Sequence, residues 1–143
     1  MCEYKNAVVL VIDDCEDNLF LMELMLADNG YKVETACCGK EGVLKIRELI
    51  PDLIILDMMM PDMTGLEVID SIKPDSSLSQ IPIIVCTANR FINKDDVSEV
   101  EDICYKPVNL ANLLTQISSL IGCCEDIDRQ NTIHFDRQLL SAS

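Results

Sequence analysis

Four short apolar runs in the chain lead into residues that can do chemistry. Val8-Val9-Leu10-Val11-Ile12 runs into Asp13 and Asp14, and Leu53-Ile54-Ile55-Leu56 into Asp57. Ile83-Ile84-Val85-Cys86 runs into Thr87, and Ile103-Cys104-Tyr105 into Lys106 and Pro107. Carboxylates brought close together repel one another unless a cation sits among them. A set of oxygen ligands without histidine or cysteine favours Mg²⁺, with Mn²⁺ as its substitute. Such an ion keeps positions open for water and phosphate oxygens. A lysine adds a point charge and a threonine a hydrogen-bond donor. Together these groups suit a phosphoryl group in transfer, where positioning and charge neutralisation are most of the catalysis. One of the carboxylates can itself be the nucleophile and become an aspartyl phosphate.

Each residue alone has a plainer role. Asp13-Asp14 could cap a helix, Asp57 could open a turn ahead of Pro61, and Lys106 could pair with any surface acid. The plainer roles must all hold at once, at the same end of neighbouring strands, which makes the joint reading the stronger one.

The residues converge only if the runs are parallel strands. Residues 7–12, 31–36, 53–57, 82–87 and 103–105 read as strands, several apolar enough to be buried on both faces. Between them the pattern predicts helices over 15–29, 40–50, 64–72, 93–101 and 109–121. Asp14 and Asn109 are candidate caps, Gly30 and Gly122 candidate ends, and Pro51 a stop. Strands alternating with helices give an α/β fold, a doubly wound five-stranded parallel sheet with helices on both faces. Its functional crevice lies beyond the carboxyl ends of the strands, where Asp13, Asp14, Asp57, Thr87 and Lys106 fall.

The 143 residues suit one domain, with 49% hydrophobic residues and a formal charge of −14. So acidic a chain repels nucleic-acid phosphates, which disfavours direct nucleic-acid binding. No signal peptide and no membrane-inserting segment are read, so a cytoplasmic protein is expected. The domain is expected over residues 1–122, with 123–143 a polar, flexible C-terminal tail. The eight cysteines include two adjacent pairs, Cys37-Cys38 and Cys123-Cys124, and no Cys-x-x-Cys. Their expected role is that of small buried or half-buried hydrophobes.

Four stretches, VLVIDDCEDN (9–18), LIILDMMMPDMTG (53–65), IIVCTA (83–88) and YKP (105–107), stand in the order of a known pattern. With them the sequence resembles a bacterial-type response-regulator receiver domain over roughly residues 6–121, of the stand-alone kind. The resemblance implies a flavodoxin-like strand order 2-1-3-4-5. It implies that Asp57 is the phosphoacceptor, and that Asp14, Asp57 and the backbone carbonyl of Met59 bind Mg²⁺ directly. Asp13 would hold a metal-bound water, Thr87 would reorient to the new phosphoryl group, and Lys106 would pair with it. Pro107 would hold that loop, often through a cis bond. Ala88, Ile103 and Tyr105 occupy the switch positions, and Met59 and Asn89 govern water access. The implied donor is a histidine kinase or histidine phosphotransfer protein. Output would be protein contact or onward transfer to an unnamed downstream protein. Such a domain promotes only its own Mg²⁺-dependent phosphorylation and dephosphorylation. The alternative is a binding module of the same fold that works without phosphorylation. An aspartate-nucleophile phosphatase would want Asp-x-Asp where Asp13-Asp14-Cys15 stands. A flavin protein would want a Ser/Thr-Gly-rich phosphate loop where Cys15-Glu16-Asp17-Asn18 would repel phosphate.

Three departures from the family pattern stand out. Ile103 occupies the place of the usual aromatic, while Tyr105, next to the lysine, should point away from Lys106. The stretch from Thr87 to Lys106 is short and lacks the usual Gly-Ala-Asp, so the 93–101 helix should be short or irregular. The 15–29 helix is apolar nearly all round, which suggests a partner-docking patch at Leu19, Phe20 and Met22.

Overall fold

Every apolar run expected to be a strand is one in the computed structural model, which describes residues 7–121. The elements are β1 (Val8–Ile12), α1 (Glu16–Ala27), β2 (Lys32–Ala36), α2 (Gly39–Leu49), β3 (Leu53–Asp57), α3 (Gly65–Ile72), β4 (Ile83–Thr87), β5 (Asp102–Tyr105) and α4 (Leu110–Ile121). The strands form one sheet in the order β2-β1-β3-β4-β5, all parallel. The expected tail at 123–143, the Gly122 helix end and Cys2, Cys123 and Cys124 lie outside the described residues. Among the described residues no helix is long and apolar enough to cross a membrane.

Side chains alternate across a strand, and here each side has its own core. Leu10, Ile12, Ile54, Leu56, Ile83 and Val85 pack with Ile46 of α2 and Val68, Ile69 and Ile72 of α3. Val9, Val11, Leu53, Ile55 and Ile84 pack with Leu19, Met22 and Leu26 of α1 and Leu113 and Ile117 of α4. Burying one such side chain contributes about 1.5–3 kcal/mol relative to exposure. The sum over these layers fixes the strands, and the residues at their carboxyl ends inherit that placement.

The segment 93–101 is not a helix. It is a chain of turns, with backbone bonds from Asp96 N–H to Asn93 O, Val97 N–H to Lys94 O and Val100 N–H to Val97 O. The cause is local. The Asn93 side chain accepts from the N–H groups of Asp95 and Asp96, and the Asp96 carboxylate from Asn93 N–H. Short polar side chains that bond the backbone in this way compete with helical pairing. Val97 and Val100 still reach the α2/α3-side core, so the turns cover the sheet where a helix was expected.

Helix ends also shift for identifiable reasons. Asp14 does not cap α1: the preceding position is Cys15, whose N–H is taken by Asp13 Oδ1 at 2.9 Å. Asn109 caps α4 as expected, accepting from Asn112 N–H at 3.0 Å. Thr64 and Glu67 close a capping box on α3. Gly65, the first residue of α3, is there for close approach. A Cβ on it would lie 3.0 Å from both the Asp57 carbonyl oxygen and Met58 Cα, and its N–H donates to Met58 O at 2.9 Å. Gly65→Ala should therefore push the backbone at Asp57 and cost about 1–3 kcal/mol. Denaturant unfolding measures it, and an unchanged midpoint would mean that α3 can back away freely.

Candidate functional site

The carboxyl ends of β1, β3 and β5 bring Asp13, Asp57 and Lys106 to one spot. All three continue the strand alternation that faces α1 and α4. Lys106 Nζ lies 3.3 Å from Asp57 Oδ1 and 3.4 Å from Asp13 Oδ2. Both carboxylates are buried, whereas Asp14 is exposed. One carboxylate oxygen from each of Asp13, Asp14 and Asp57 lies within 4.8 Å of the others. Asp13 is further held by Cys15 N–H, as above, and by Asn18 Nδ2 at 3.4 Å. Asp57 Oδ1 also faces Met59 N–H at 3.4 Å.

The charges are poorly balanced. Burial pushes the Asp57 carboxyl above its usual range, the Asp13 charge adds to that, and Lys106 offsets it only in part. For Lys106, burial pulls the ammonium down, but the charges of Asp13 and Asp57 outweigh it and hold it above its ordinary value. Three carboxylates gather here, and the one ammonium contacts only Asp13 and Asp57. An additional cation with oxygen preference fits this donor set on charge and on ligand chemistry.

Thr87 is buried at the end of β4, on the opposite side of the strand from Cys86. Its Oγ1 accepts from Asn89 N–H at 3.0 Å, and its carbonyl from Lys106 N–H at 2.8 Å. It is therefore tied to both loops that border Asp57. Ala88 is exposed beside it. The Lys106–Pro107 bond is cis, as the family resemblance implied. A cleft of about 600 Å³ opens over Asp57 and Lys106, walled by Leu21, Met22 and Met25 of α1 and by Pro107 and Val108.

Tyr105 points away from Lys106, as expected. Its hydroxyl donates to Ile92 O at 2.6 Å, and the Arg90 guanidinium sits 5.5 Å from its ring centre. The ring thus fastens the 88–101 turns to β5, a link that sequence reasoning missed. Ile103 is buried in the sheet. The partner patch needs correction. Leu19 and Met22 are buried against the sheet, Met22 reaching only the cleft wall, so neither belongs to an exposed patch. The exposed apolar residues of α1 are Phe20 at 61%, Leu21 at 53% and Leu24 at 52%. A helix apolar all round carries no phase in its pattern, so of the three expected members Phe20 lies outside while Leu19 and Met22 lie inside.

A sequence model of the response regulator receiver domain matches residues 9–118. The chain is 36% identical over 120 residues to hybrid signal transduction histidine kinase D of Dictyostelium discoideum, covering 82% of this chain and 8% of that protein. It is 32% identical over 119 residues to the polar-differentiation response regulator DivK of Brucella ovis, covering 80% of this chain and 95% of that one. Among solved structures it is similar to response regulator TrrA of Thermotoga maritima in complex with Mg²⁺–BeF. The TM-score there is 0.73 and the identity 30%, with 80% of this chain and 98% of that one covered. The chain thus spans a small part of the hybrid kinase and nearly all of DivK.

Proposed function

The chain belongs to the response regulator receiver family of two-component signalling, and from that premise we propose that Asp57 accepts a phosphoryl group from a histidine kinase or histidine phosphotransfer protein. The observation that carries this reading is Lys106 bridging Asp13 and Asp57 at the floor of an open cleft. In the proposed step a carboxylate oxygen of Asp57 attacks phosphorus. The bond from phosphorus to the donor's imidazole nitrogen breaks, and the electron pair leaves with that nitrogen. Asp13, Asp14, Asp57 and the Met59 carbonyl would hold Mg²⁺ or Mn²⁺, which supplies positive charge to the phosphoryl oxygens in flight. Lys106 lies close enough to neutralise a phosphoryl oxygen on Asp57. Thr87 would exchange its bond from Asn89 N–H for one donated to the phosphoryl group. That exchange would loosen the 88–101 turns, and Tyr105 would carry the change to the surface.

The protein in this reading is a switch with its receiver unit over residues 1–122, working in the cytoplasm without contacting nucleic acid. It acts by protein contact or onward transfer and turns over no substrate besides its own phosphoryl group. TrrA, similar in fold and crystallised with Mg²⁺–BeF, supports the ion assignment. Intact mass after incubation with Mg²⁺ and a small phosphodonor tests the reading. One added phosphoryl group is expected, and none when the ion is chelated. A folded, Mg²⁺-binding protein that takes neither a phosphoryl group nor beryllofluoride would instead be a phosphorylation-independent binding module.

The exposed α1 residues are proposed as the donor's docking surface, because Leu21 also walls the Asp57 cleft. Serine at Phe20, Leu21 and Leu24 together should slow transfer from a protein donor at least about tenfold, the loss of a single 1.4 kcal/mol contact. Phosphorylation by a small donor should be spared. Equal slowing with both donors would sink the docking idea.

A further inference from the structure

Away from Asp57, the bend between β2 and α2 gathers a second set of ligand atoms of a different kind. Adjacent residues of an extended chain point to opposite sides, so Cys37-Cys38 carries no ligand signature in the sequence. The bend overrides that alternation. One ligand atom from each of Cys37, Cys38 and Glu41 lies within 4.8 Å of the others. Both cysteines are free thiols, Cys37 exposed and Cys38 half-buried. Exposed Cys37 therefore departs from the buried or half-buried role expected for the cysteines, which Cys38, Cys86 and Cys104 fill.

The arrangement is held from several sides. Glu41 Oε1 accepts from Cys37 N–H at 2.8 Å, and Glu41 Oε2 lies 3.6 Å from Lys45 Nζ. The N–H groups of Gly39 and Lys40 are each taken by the Asp62 carboxylate at 3.0 Å, so the start of α2 is anchored to the loop after Asp57. A shallow cleft of about 320 Å³ lies over Cys37 and Glu41, with Glu16 and Phe20 on its far wall.

We propose that Cys37, Cys38 and Glu41 form a binding site for a thiophilic divalent cation of the Zn²⁺ class. Two thiolates and a carboxylate are ligands for Zn²⁺ and poor ones for Mg²⁺, which takes oxygen. Tetrahedral Zn²⁺ with bonds of about 2.3 Å to sulfur sets two sulfurs about 3.8 Å apart. The cluster needs to close by roughly 1 Å or less to reach that. Three protein ligands leave a fourth position facing the cleft, for water or another ligand. Charge also closes: two thiolates and one carboxylate against a dication and the neighbouring Lys45. Binding releases both thiol protons to solvent, so affinity rises with pH. The hydrogen bond to Glu41 and that carboxylate's charge hold the Cys37 thiol above its ordinary value, which extends the rise to higher pH.

The test is a titration of the reduced full chain with Cd²⁺, in excess Mg²⁺, followed by the ultraviolet charge-transfer absorption of Cd²⁺–thiolate bonds. That absorption reads sulfur alone, so it is blind to the Asp57 cluster and independent of whether Asp57 is phosphorylated. A one-to-one endpoint is expected, with Zn²⁺ displacing the signal. Cys37→Ser and Cys38→Ser should each weaken binding at least tenfold, and Glu41→Gln should do likewise. The variant Cys123→Ser/Cys124→Ser should bind as the unmodified chain does. The proposal is overturned by a signal that survives Cys37→Ser and Cys38→Ser together, that disappears with Cys123 and Cys124, or that ignores Glu41→Gln.

Discussion

Asp57→Asn should take up no phosphoryl group from a small donor with Mg²⁺, while the unmodified chain gains one by intact mass. The same substitution should raise the Tm measured at neutral pH in a chelator. Both expectations come from one feature. Asp57 is only 6% exposed and faces Asp13 with one shared ammonium. Its carboxyl is therefore held above the ordinary carboxylate range, by burial first and then by the Asp13 charge. For a group whose folded value is raised, the favourable contribution is fully present below the unfolded value of about 3.9. It is lost as pH rises through the folded value, so at pH 7 the chain without a cation bears the whole cost. Asparagine is nearly isosteric and uncharged, so it removes that cost. The Tm gain should shrink as pH falls and Asp57 protonates in the unmodified chain. It should also shrink at neutral pH in excess Mg²⁺. A phosphoryl adduct that persists in Asp57→Asn would move the acceptor to another residue, and a lower Tm would mean that Lys106 outweighs both burial and Asp13.

Most of this candidate site is legible in the sequence, because it hangs on buried strands. Continuous runs such as Leu53-Ile54-Ile55-Leu56 have few ways to be satisfied other than a central parallel strand. Once β1, β3 and β5 are parallel, alternation alone puts Asp13, Asp57 and Lys106 on one side. What the sequence hid lies in segments where no such period operates. Asn93 and Asp96 bend 93–101 into turns through side-chain bonds that a helical pattern does not register. The phase of α1 could not be read because apolar residues stand on every face, and only packing shows that Leu19 and Met22 are inside while Phe20 and Leu24 are outside. The Cys37-Cys38 bend is invisible for a third reason: adjacent positions are read as diverging, and one turn makes them converge.

Lys106→Ala should separate the structural part of the lysine from its chemical part. Truncating it leaves Asp13 and Asp57 facing one another without the ammonium that now lies 3.3 and 3.4 Å away. Breaking a fully buried pair costs about 3–5 kcal/mol. These contacts are long, however, and the lysine side chain is 26% exposed. Water therefore screens part of the loss, and a cost of about 1–2 kcal/mol at neutral pH is expected. The sign with pH follows from both partners. Lys106 is held above its ordinary value, so its contribution is complete below that value and fades only as pH climbs through the raised one. Without it the Asp57 carboxyl rises further, and the variant should lose stability from acid to neutral pH more steeply than the unmodified chain. Excess Mg²⁺ should return most of the stability, since any cation among the carboxylates answers their repulsion. It should not return the phosphorylation rate, which is expected to fall roughly 10–100-fold, because the ion cannot also replace a point charge on the far phosphoryl oxygen. Lys106→Arg restores the charge with a planar, bulkier head and should recover stability better than rate. Denaturant unfolding with and without Mg²⁺, beside adduct formation over time, measures both. A variant that is destabilised yet phosphorylated at the unmodified rate would reduce Lys106 to a counterion and leave the chemistry to the carboxylates.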